Sequence, residues 1–343
     1  TLDRFPLCLE CQSEYDDLTD RRFHAESTAC PVCGPECRFE DANGDDVVTG
    51  NDAIRKTRLR LAQGAIVAVR GIGGFLLAVD ARNRDAIDRL RQRKHRPDKP
   101  FAVMAVDIDT VRSICDVPNS AAELLASPRM PIVILDLKED PQTLLPMAQL
   151  TPDASTIGAM LPTSPLHQLL FTPLEDDPIP AFEFLVMTSG NRGGEPICIT
   201  NDEARERLAG IADAFLFHSR EINLRNDDSL CVVRGDSTQV WRRARGYAPE
   251  PVRLSVALKR NVLAMGAELK NTIAVGRNKQ VVLSPHIGDL DTLEANESQR
   301  MVSRCLPEFL KCEPDVIAVD LHPDMHATAL GREISEQRCI PLQ

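Results

Sequence analysis

Two C-x2-C pairs near the start of the chain constrain its fold more than any other sequence feature. Cys8 and Cys11 form the first pair, and Cys30 and Cys33 form the second. Each pair turns two thiolates toward one point, so the two pairs supply four ligands for a tetrahedral zinc ion. Four thiolates leave no open coordination position, so we expect structural zinc that stabilises a small finger over residues 1–45.

Other metal chemistry stays open at this point. Cys37 and His24 are spare candidate ligands, and an iron–sulfur cluster that uses Cys37 is the alternative to zinc. The eleven cysteines are an odd number, with five in the first 37 residues and six scattered singly. This spacing is typical of a reducing compartment with one metal site, so we expect a cytoplasmic protein. No apolar run approaches the length of a membrane span.

Apolar strands and amphipathic helices alternate from about residue 50. Predicted helices cover 51–63, 81–94 with Asn83 as the cap, 164–171 with Ser164 as the cap, and 199–212 with Asn201 near the cap and Arg207 on an exposed face. Predicted strands cover 65–70, 101–106, 131–137, 156–162 and 182–189, followed by a hairpin over 230–245 with Gly235 and Asp236 in its turn. The alternation indicates an α/β domain over residues 50–252.

A concentrated basic run lies inside this acidic chain, whose formal net charge is −11. Its cations are Arg91, Arg93, Lys94, Arg96 and Lys99, opposed only by Asp98. Such a cluster is most easily kept if an anion lies among its members. The alternative is a solvated helix end, where the helix dipole favours cations.

A glycine-rich stretch, TSGNRGGEP over 188–196, follows a predicted buried strand. Open α/β sheets bind ligands where their strands end, so Thr188, Ser189 and Asn191 are candidate ligand contacts. Backbone N–H groups beside the glycines could hold phosphate oxygens there. A plain polar turn is the alternative.

The stretch WRRARGY over 241–247 supplies more cations. Arg242, Arg243 and Arg245 alternate at the end of a predicted strand, so some of them should face one side, and guanidinium groups suit phosphate. A charged edge strand that limits aggregation is the alternative. Asp227 and Asp228 could hold Mg²⁺ or pair with these arginines, and we favour pairing slightly.

Several blocks of the sequence, in order, resemble the HypF family of carbamoyltransferases, which help to build the cyanide ligands of nickel–iron hydrogenases. CLECQSEYDDLTDRRFHAESTACPVCGP is similar to the second of that family's two zinc fingers. RQRKHRPDKPFAVM, LPTSPLHQLL, VMTSGNRGGEPI, RNDDSLCVVRG and RRARGYAP are similar to its YrdC-like domain, and VLAMGAELKNTIAV, VLSPHIGDL and VDLHPDMHATALG to the start of its C-terminal carbamoyltransferase domain. The resemblance implies an α/β protein with a zinc finger, a twisted YrdC-like domain and, over 258–343, the first part of an actin-like ATPase fold.

The resemblance also implies a reaction. Carbamate derived from carbamoyl phosphate attacks the α-phosphate of ATP, which gives carbamoyl-adenylate and pyrophosphate, and the carbamoyl group passes to the C-terminal cysteine of the partner HypE. In this reading Lys94, Arg96 and Lys99 hold the phosphates. Thr188, Ser189 and Asn191 contact the nucleotide and carbamate, and Arg242 or Arg245 contacts the pyrophosphate, with Mg²⁺ accompanying ATP.

Three positions depart from the family pattern. The family often shows Tyr, His and Cys where this chain has Thr163, Leu76 and Asn226. The absence of an initiator Met and the ending RCIPLQ favour a fragment, with the family's acylphosphatase-like domain, first zinc finger, histidine-rich metal motif and later nucleotide loop outside these residues. A metal role for His322 and His326 is disfavoured because Pro323 interrupts a helix between them.

Three other functions remain open from the sequence. An enzyme of the same fold could make threonylcarbamoyl-adenylate for tRNA modification. Zinc knuckles beside a basic groove could bind RNA, including double-stranded RNA, and the affinity would then fall steeply with salt. A scaffold that only docks HypE is the third possibility.

Overall fold

The computed structural model describes residues 4–139, 144–235 and 237–343. The strands are β1 Cys37–Asp41, β2 Val47–Thr49, β3 Val67–Arg70, β4 Phe75–Asp80, β5 Ala102–Ala105, β6 Ile132–Asp136, β7 Thr156–Met160, β8 Phe184–Ser189, β9 Ala214–His218, β10 Leu230–Arg234, β11 Ser237–Arg242, β12 Val252–Arg253, β13 Val262–Ala264, β14 Ala274–Arg277, β15 Gln280–Leu283 and β16 Val316–Ala318. The helices are α1 Leu9–Asp16, α2 Gly50–Ala62, α3 Arg84–Arg93, α4 Ile108–Ile114, α5 Asn119–Ala126, α6 Met147–Leu150, α7 Pro165–Phe171, α8 Asn201–Arg207, α9 Leu293–Leu310 and α10 His326–Arg338.

A mixed sheet forms the centre of the larger unit. Its order across the described residues is β11-β10-β6-β7-β5-β8-β4-β3-β9-β1-β2. Helices α3, α4 and α5 cover one face, where Leu90, Val111 and Leu125 are fully buried. Helices α2 and α7 cover the other face with Leu61 and Phe171. Burial on both faces explains why the central strands are almost continuously apolar, and it confirms the predicted α/β class.

A second, smaller sheet lies in the C-terminal part of the chain. Its order is β12-β15-β14-β13-β16 in the described residues, and α9 and α10 follow β15 and β16 in the chain. Leu263, Val275, Val302 and Leu330 belong to its own buried cluster. This unit corresponds to the range for which an actin-like ATPase start was predicted.

Local capping signals placed two of the helices correctly. The Asn83 side chain accepts a hydrogen bond from the Ala86 amide and begins α3, and Ser164 accepts one from the His167 amide and begins α7. These side chains satisfy backbone N–H groups that have no partner within the helix.

The helix predicted over 199–212 is shorter in the structure. It is α8, and Asn201 is its first residue, directly after Thr200, which caps the helix through a reciprocal capping box with Glu203. The prediction for Arg207 was wrong, since its side chain is 14% exposed and pairs with Glu195 at 2.8 Å. The predicted turn at Gly235 and Asp236 lies partly outside the described residues, because Asp236 is not among them.

The finger is joined to the large sheet by its own last strand. Strand β1 pairs antiparallel with β9 in register from Cys37 opposite His218 to Asp41 opposite Ala214. Phe39 is fully buried in the core beneath α2. The predicted range 1–45 therefore includes one strand of the large sheet, while the boundaries 1–45, 50–252 and 258–343 stay predictions.

The helices offer no membrane span. In the part of the chain that the structure describes, no helix has both the length and the apolar character that crossing a bilayer requires.

Candidate functional site

Strand pairing brings the basic run and the glycine-rich stretch together. Strand β8 is antiparallel to β4, with Leu76 opposite Ser189, and it is also antiparallel to β5. The basic run leads into β5, so it passes beside the end of β8, where Thr188 and Ser189 lie. Two segments that are distant in sequence thus meet at one place.

Lys94 lies at the centre of this meeting point. It ends α3 and is only 5% exposed. Its ammonium group donates to the Ser189 carbonyl oxygen and to Asn191 Oδ1, the latter at 2.9 Å. Burial, with the neighbouring charge of Arg96, lowers the pKa of Lys94 to about 7. Because Lys94 is buried among neutral acceptors, an anion that enters the site would stabilise its charged form.

Arg96 lies next to Lys94 and reaches the same strand. Its Nη1 donates to Thr188 Oγ1 at 3.1 Å, and its guanidinium lies over the Phe101 ring at 4.8 Å from the centroid. Burial, followed by the charges of Arg91 and Arg242, lowers the pKa of Arg96 to about 10.

Lys99 and Arg242 complete the positive field. Burial lowers the pKa of Lys99, and the charges of Arg96 and Arg242 lower it further. Asp227 faces this group, and burial raises the pKa of its carboxyl although the charge of Arg242 opposes that effect. Cations that lower one another's pKa values form a site with an excess of positive charge.

The other arginines of the two basic stretches have structural partners. Arg91 donates to the carbonyl oxygens of Arg96, Pro97 and Lys99 at 2.8, 3.0 and 3.1 Å, so it shapes the basic run from inside. Arg93 pairs with Asp213 at 2.7 Å.

Arg245 is also engaged. It pairs with Asp228 at 2.8 Å with both side chains nearly buried, and it donates to the Met130 carbonyl oxygen at 2.7 Å. The slight preference for an aspartate–arginine pair is therefore confirmed at Asp228, and Arg242 is the arginine of this stretch that faces the site.

A small cavity lies beside this site and was not foreseen from the sequence. It measures about 20 Å³ and is lined by loop 71–74, Leu76, Thr163, His167, Asn226 and Asp227, among others. His167 is 1% exposed; its Nδ1 is 3.0 Å from Thr163 Oγ1, while its Nε2 has no hydrogen-bond partner in the described chain. Burial lowers the pKa of His167 to about 4, so its imidazole is neutral at physiological pH.

The C-terminal unit reaches the rim of the site. The His286 amide donates to the Arg243 carbonyl oxygen at 3.2 Å, and Arg225 Nη1 donates to Ser298 Oγ at 3.3 Å. His286 and Asp227 line one narrow pocket between the units. Burial, with the charge of Arg242, lowers the pKa of His286 to about 4.

The four cysteines of the finger form a compact cluster. Their sulfur atoms all lie within 4.8 Å of one another, with Cys30 Sγ at 3.7 Å from Cys8 Sγ and 3.8 Å from Cys33 Sγ. Zn–S bonds of about 2.3 Å in a tetrahedron place sulfurs about 3.8 Å apart, so the set fits one zinc ion. Backbone hydrogen bonds lower the pKa of Cys33 to about 6 and also lower that of Cys30, which favours the thiolates that zinc binds, whereas burial raises the pKa of Cys11.

The alternative ligands are not part of that cluster. Cys37 belongs to β1, and His24 stacks against Tyr15 with ring centroids 4.9 Å apart. In the part of the chain that the structure describes, the four cysteines are the only candidate metal group of this kind, and His322 and His326 join none.

Comparisons with known proteins match all three parts of the chain. The model described as "HypF finger" matches residues 7–40, the Sua5/YciO/YrdC model, described as "Telomere recombination", matches 60–244, and the model described as "HypF Kae1-like domain" matches 257–343. A carbamoyltransferase HypF of Rhodobacter capsulatus is 42% identical over an alignment of 347 residues that covers 100% of this chain. The chain belongs to the HypF family.

Solved HypF structures show the same architecture. A full-length HypF in a phosphate- and nucleotide-bound form is 38% identical with a TM-score of 0.87. The match covers 100% of this chain and 43% of that one. The crystal structure of T. kodakarensis HypF is 40% identical with a TM-score of 0.87, and the whole of this chain matches 44% of that one. The chain spans 44% of the length of the Rhodobacter relative as well.

The three positions at which the resemblance implied a departure from the family pattern lie close together. Leu76, Thr163 and Asn226 all line the small cavity beside the cationic site.

Proposed function

We propose that this chain carries the adenylate-forming part of a carbamoyltransferase, which uses ATP and carbamate to make carbamoyl-adenylate and pyrophosphate. The observation that carries the proposal is the buried Lys94, held by Ser189 and Asn191 and surrounded by Arg96, Lys99 and others. A cationic site of this kind suits a polyphosphate. The relatives' names support the choice of reaction, since they are carbamoyltransferases, and one solved HypF is phosphate- and nucleotide-bound.

The proposed step needs no protein nucleophile. A carbamate oxygen attacks the α-phosphorus of ATP and forms an O–P bond, while the bond to the β-phosphate oxygen breaks and its electron pair leaves with pyrophosphate. Lys94, Arg96 and Lys99 offset the negative charge of the phosphates in the transition state. Positioning and electrostatics supply the rest of the rate.

The polar residues around the cations have separate roles in this proposal. Thr188, Ser189 and Asn191 orient the nucleotide and the carbamate at the end of β8. Arg242 contacts the departing pyrophosphate, while Arg245 holds Asp228 in place. Asp227 is the carboxylate left to face Mg²⁺ that accompanies ATP, since Asp228 is paired.

The wider role follows from family membership and is also a proposal. Carbamate would come from carbamoyl phosphate, and the carbamoyl group would pass to the C-terminal cysteine of HypE during maturation of nickel–iron hydrogenases. The zinc ion of the finger would stabilise the fold and would have no catalytic role. A cytoplasmic location is consistent with the free state of all eleven cysteines.

The test is pyrophosphate release by this chain with ATP, Mg²⁺, bicarbonate and ammonia, which together supply carbamate. We expect release that depends on ammonia, and mass spectrometry should show no carbamoylated HypE, because delivery depends on parts of the family that these residues do not include. Absence of ammonia-dependent pyrophosphate would contradict the adenylation proposal. Carbamoylated HypE would show that the transfer chemistry is misplaced.

A threonylcarbamoyl-adenylate synthase is the second candidate, because the Sua5/YciO/YrdC model covers residues 60–244. It predicts pyrophosphate release that requires L-threonine instead of ammonia. RNA affinity of the basic groove, including affinity for double-stranded RNA, would appear in the same preparation as binding that weakens steeply with salt.

A further inference from the structure

Two buried acceptor atoms without partners belong to residues that line the same small cavity. In the described structure, His167 Nε2 and Asn226 Oδ1 are both buried and lack a hydrogen bond, and both residues line the cavity of about 20 Å³. A buried polar atom left unpaired costs about 1–3 kcal/mol, so a pair of them at one cavity indicates a missing partner.

The chemistry of the two atoms specifies the partner. Asn226 Oδ1 accepts hydrogen bonds, and His167 Nε2 also accepts if Nδ1 carries the proton and donates it to Thr163 Oγ1, 3.0 Å away. We propose that His167 and Asn226 are specificity residues that each accept a hydrogen bond from one N–H group of the substrate's amino group, so that this cavity recognises the –NH2 end of carbamate. This inference rests on the proposed adenylation function.

The protonation state of His167 agrees with an acceptor role. Burial lowers its pKa to about 4, and the carboxylate of Asp228, which opposes that effect, is already paired with Arg245. The imidazole is therefore neutral near pH 7 and offers one lone pair.

The cavity is in the right place to serve the cationic site. Leu76 lines it and pairs directly with Ser189 across β4 and β8. Asp227 lines it as well and lies within the electrostatic reach of Lys94. A carbamate with its nitrogen in the cavity would direct its carboxylate toward Lys94 and the end of β8.

The loop 71–74 makes the cavity small. A Cβ added at Gly73 would lie 2.0 Å from the Asn226 carbonyl oxygen, and one at Gly71 would lie 3.6 Å from His167 Nε2. The backbone therefore approaches both residues closely. A volume of about 20 Å³ takes roughly one water-sized group, which matches –NH2, whereas an N-methyl group would replace one of the two N–H donors.

The first experiment measures how pyrophosphate release depends on ammonia in the presence of bicarbonate. Asn226→Ala should raise the half-saturating ammonia concentration roughly tenfold, because a substrate N–H loses its acceptor, while ATP affinity changes less than about twofold. Thr163→Val removes the hydroxyl group that fixes the His167 tautomer, and it should raise the half-saturating ammonia concentration less than Asn226→Ala does. Asn119→Ala, at an exposed position, is the matched control. Methylamine should replace ammonia poorly. An Asn226→Ala chain with normal ammonia dependence, or equal use of methylamine, overturns the inference.

The second experiment needs no turnover. Crystals soaked in formamide should show its nitrogen within hydrogen-bond distance of His167 Nε2 and Asn226 Oδ1. A lone water molecule in the soaked cavity would overturn the inference. Formamide bound there in a chain that releases no pyrophosphate would reject the adenylation proposal and keep the amino-group site. Ammonia-dependent pyrophosphate release that is unchanged in Asn226→Ala would keep the adenylation proposal and reject the amino-group site.

Discussion

Lys94 Nζ lies 2.9 Å from Asn191 Oδ1 although the two residues are 97 positions apart. This contact joins the basic run to the glycine-rich stretch and makes them one site. Ser189 Oγ donates to the same amide oxygen at 2.7 Å, so Asn191 holds two donors in fixed positions. The ammonium group is thus oriented before any anion arrives, which is the arrangement that electrostatic catalysis needs.

Loss of either central cation should weaken ATP binding. Lys94→Ala and Arg96→Ala should each cost about 1.5–3 kcal/mol, the range for a lost charged hydrogen bond. Calorimetric titration with ATP and Mg²⁺ checks this. Lys259→Ala is the control, since Lys259 is exposed in the C-terminal part of the chain. Equal losses in all three variants would remove the reason for assigning the basic run to phosphate.

ATP binding should become weaker as pH rises above about 7. The pKa of Lys94 is lowered to about 7, so the free chain loses this proton near neutrality, whereas a bound phosphate favours the protonated form. Binding at pH 8 should therefore take up a proton, which is measured as a dependence of the binding heat on the buffer. Lys94→Arg should remove that uptake, because guanidinium stays charged. Proton uptake that persists in Lys94→Arg would assign it to another group.

One zinc ion should be bound per chain. Elemental analysis of protein prepared without chelator should give close to one equivalent, and Cys33→Ser should lower it sharply because one thiolate ligand is lost. Cys339→Ser is the matched control at an exposed cysteine outside the finger. A brown chromophore with iron in place of zinc would restore the cluster alternative.

A buried ion pair should be important for stability on the opposite face of the sheet. Arg58 and Asp177 are 2.5 Å apart with side chains 0% and 1% exposed, and Arg58 also donates to three carbonyl oxygens in 170–180. Asp177→Ala should cost about 3–5 kcal/mol because it leaves a buried charge unpaired. Denaturant unfolding followed by circular dichroism measures this.

A surface pair provides the comparison. Asp109 is 87% exposed and pairs with Arg112, so Asp109→Ala should cost less than about 1 kcal/mol. Similar losses at Asp109 and Asp177 would show that burial does not set the strength of the Arg58 pair.

Features with local causes were the ones the sequence predicted. Helices α3 and α7 begin where Asn83 and Ser164 were expected to cap them, because a cap depends on residues only three positions away. Asn201 was expected near the cap of α8, and it directly follows the cap Thr200, which has the capping-box spacing to Glu203.

One feature with a local signal and one with distant causes were missed. Strand β4 directly follows the glycine loop and was not predicted, although FLLAVD is an apolar run. Asn226 was noted only as a departure from the family pattern and His167 was not singled out, because only the folded chain brings their residues to one cavity. The roles of the predicted site residues themselves stay predictions until the variants are measured.

The strand that ends the finger gives protection as well as attachment. Strand β9, with the sequence AFLFH, pairs with β3 on one side and with β1 on the other. Without β1, this apolar strand would present unpaired backbone N–H and C=O groups, which are a template for association with other chains. The segment that follows the metal site therefore covers an edge of the sheet that would otherwise be open. A version of this chain that begins at residue 50 should aggregate even with its cationic site intact.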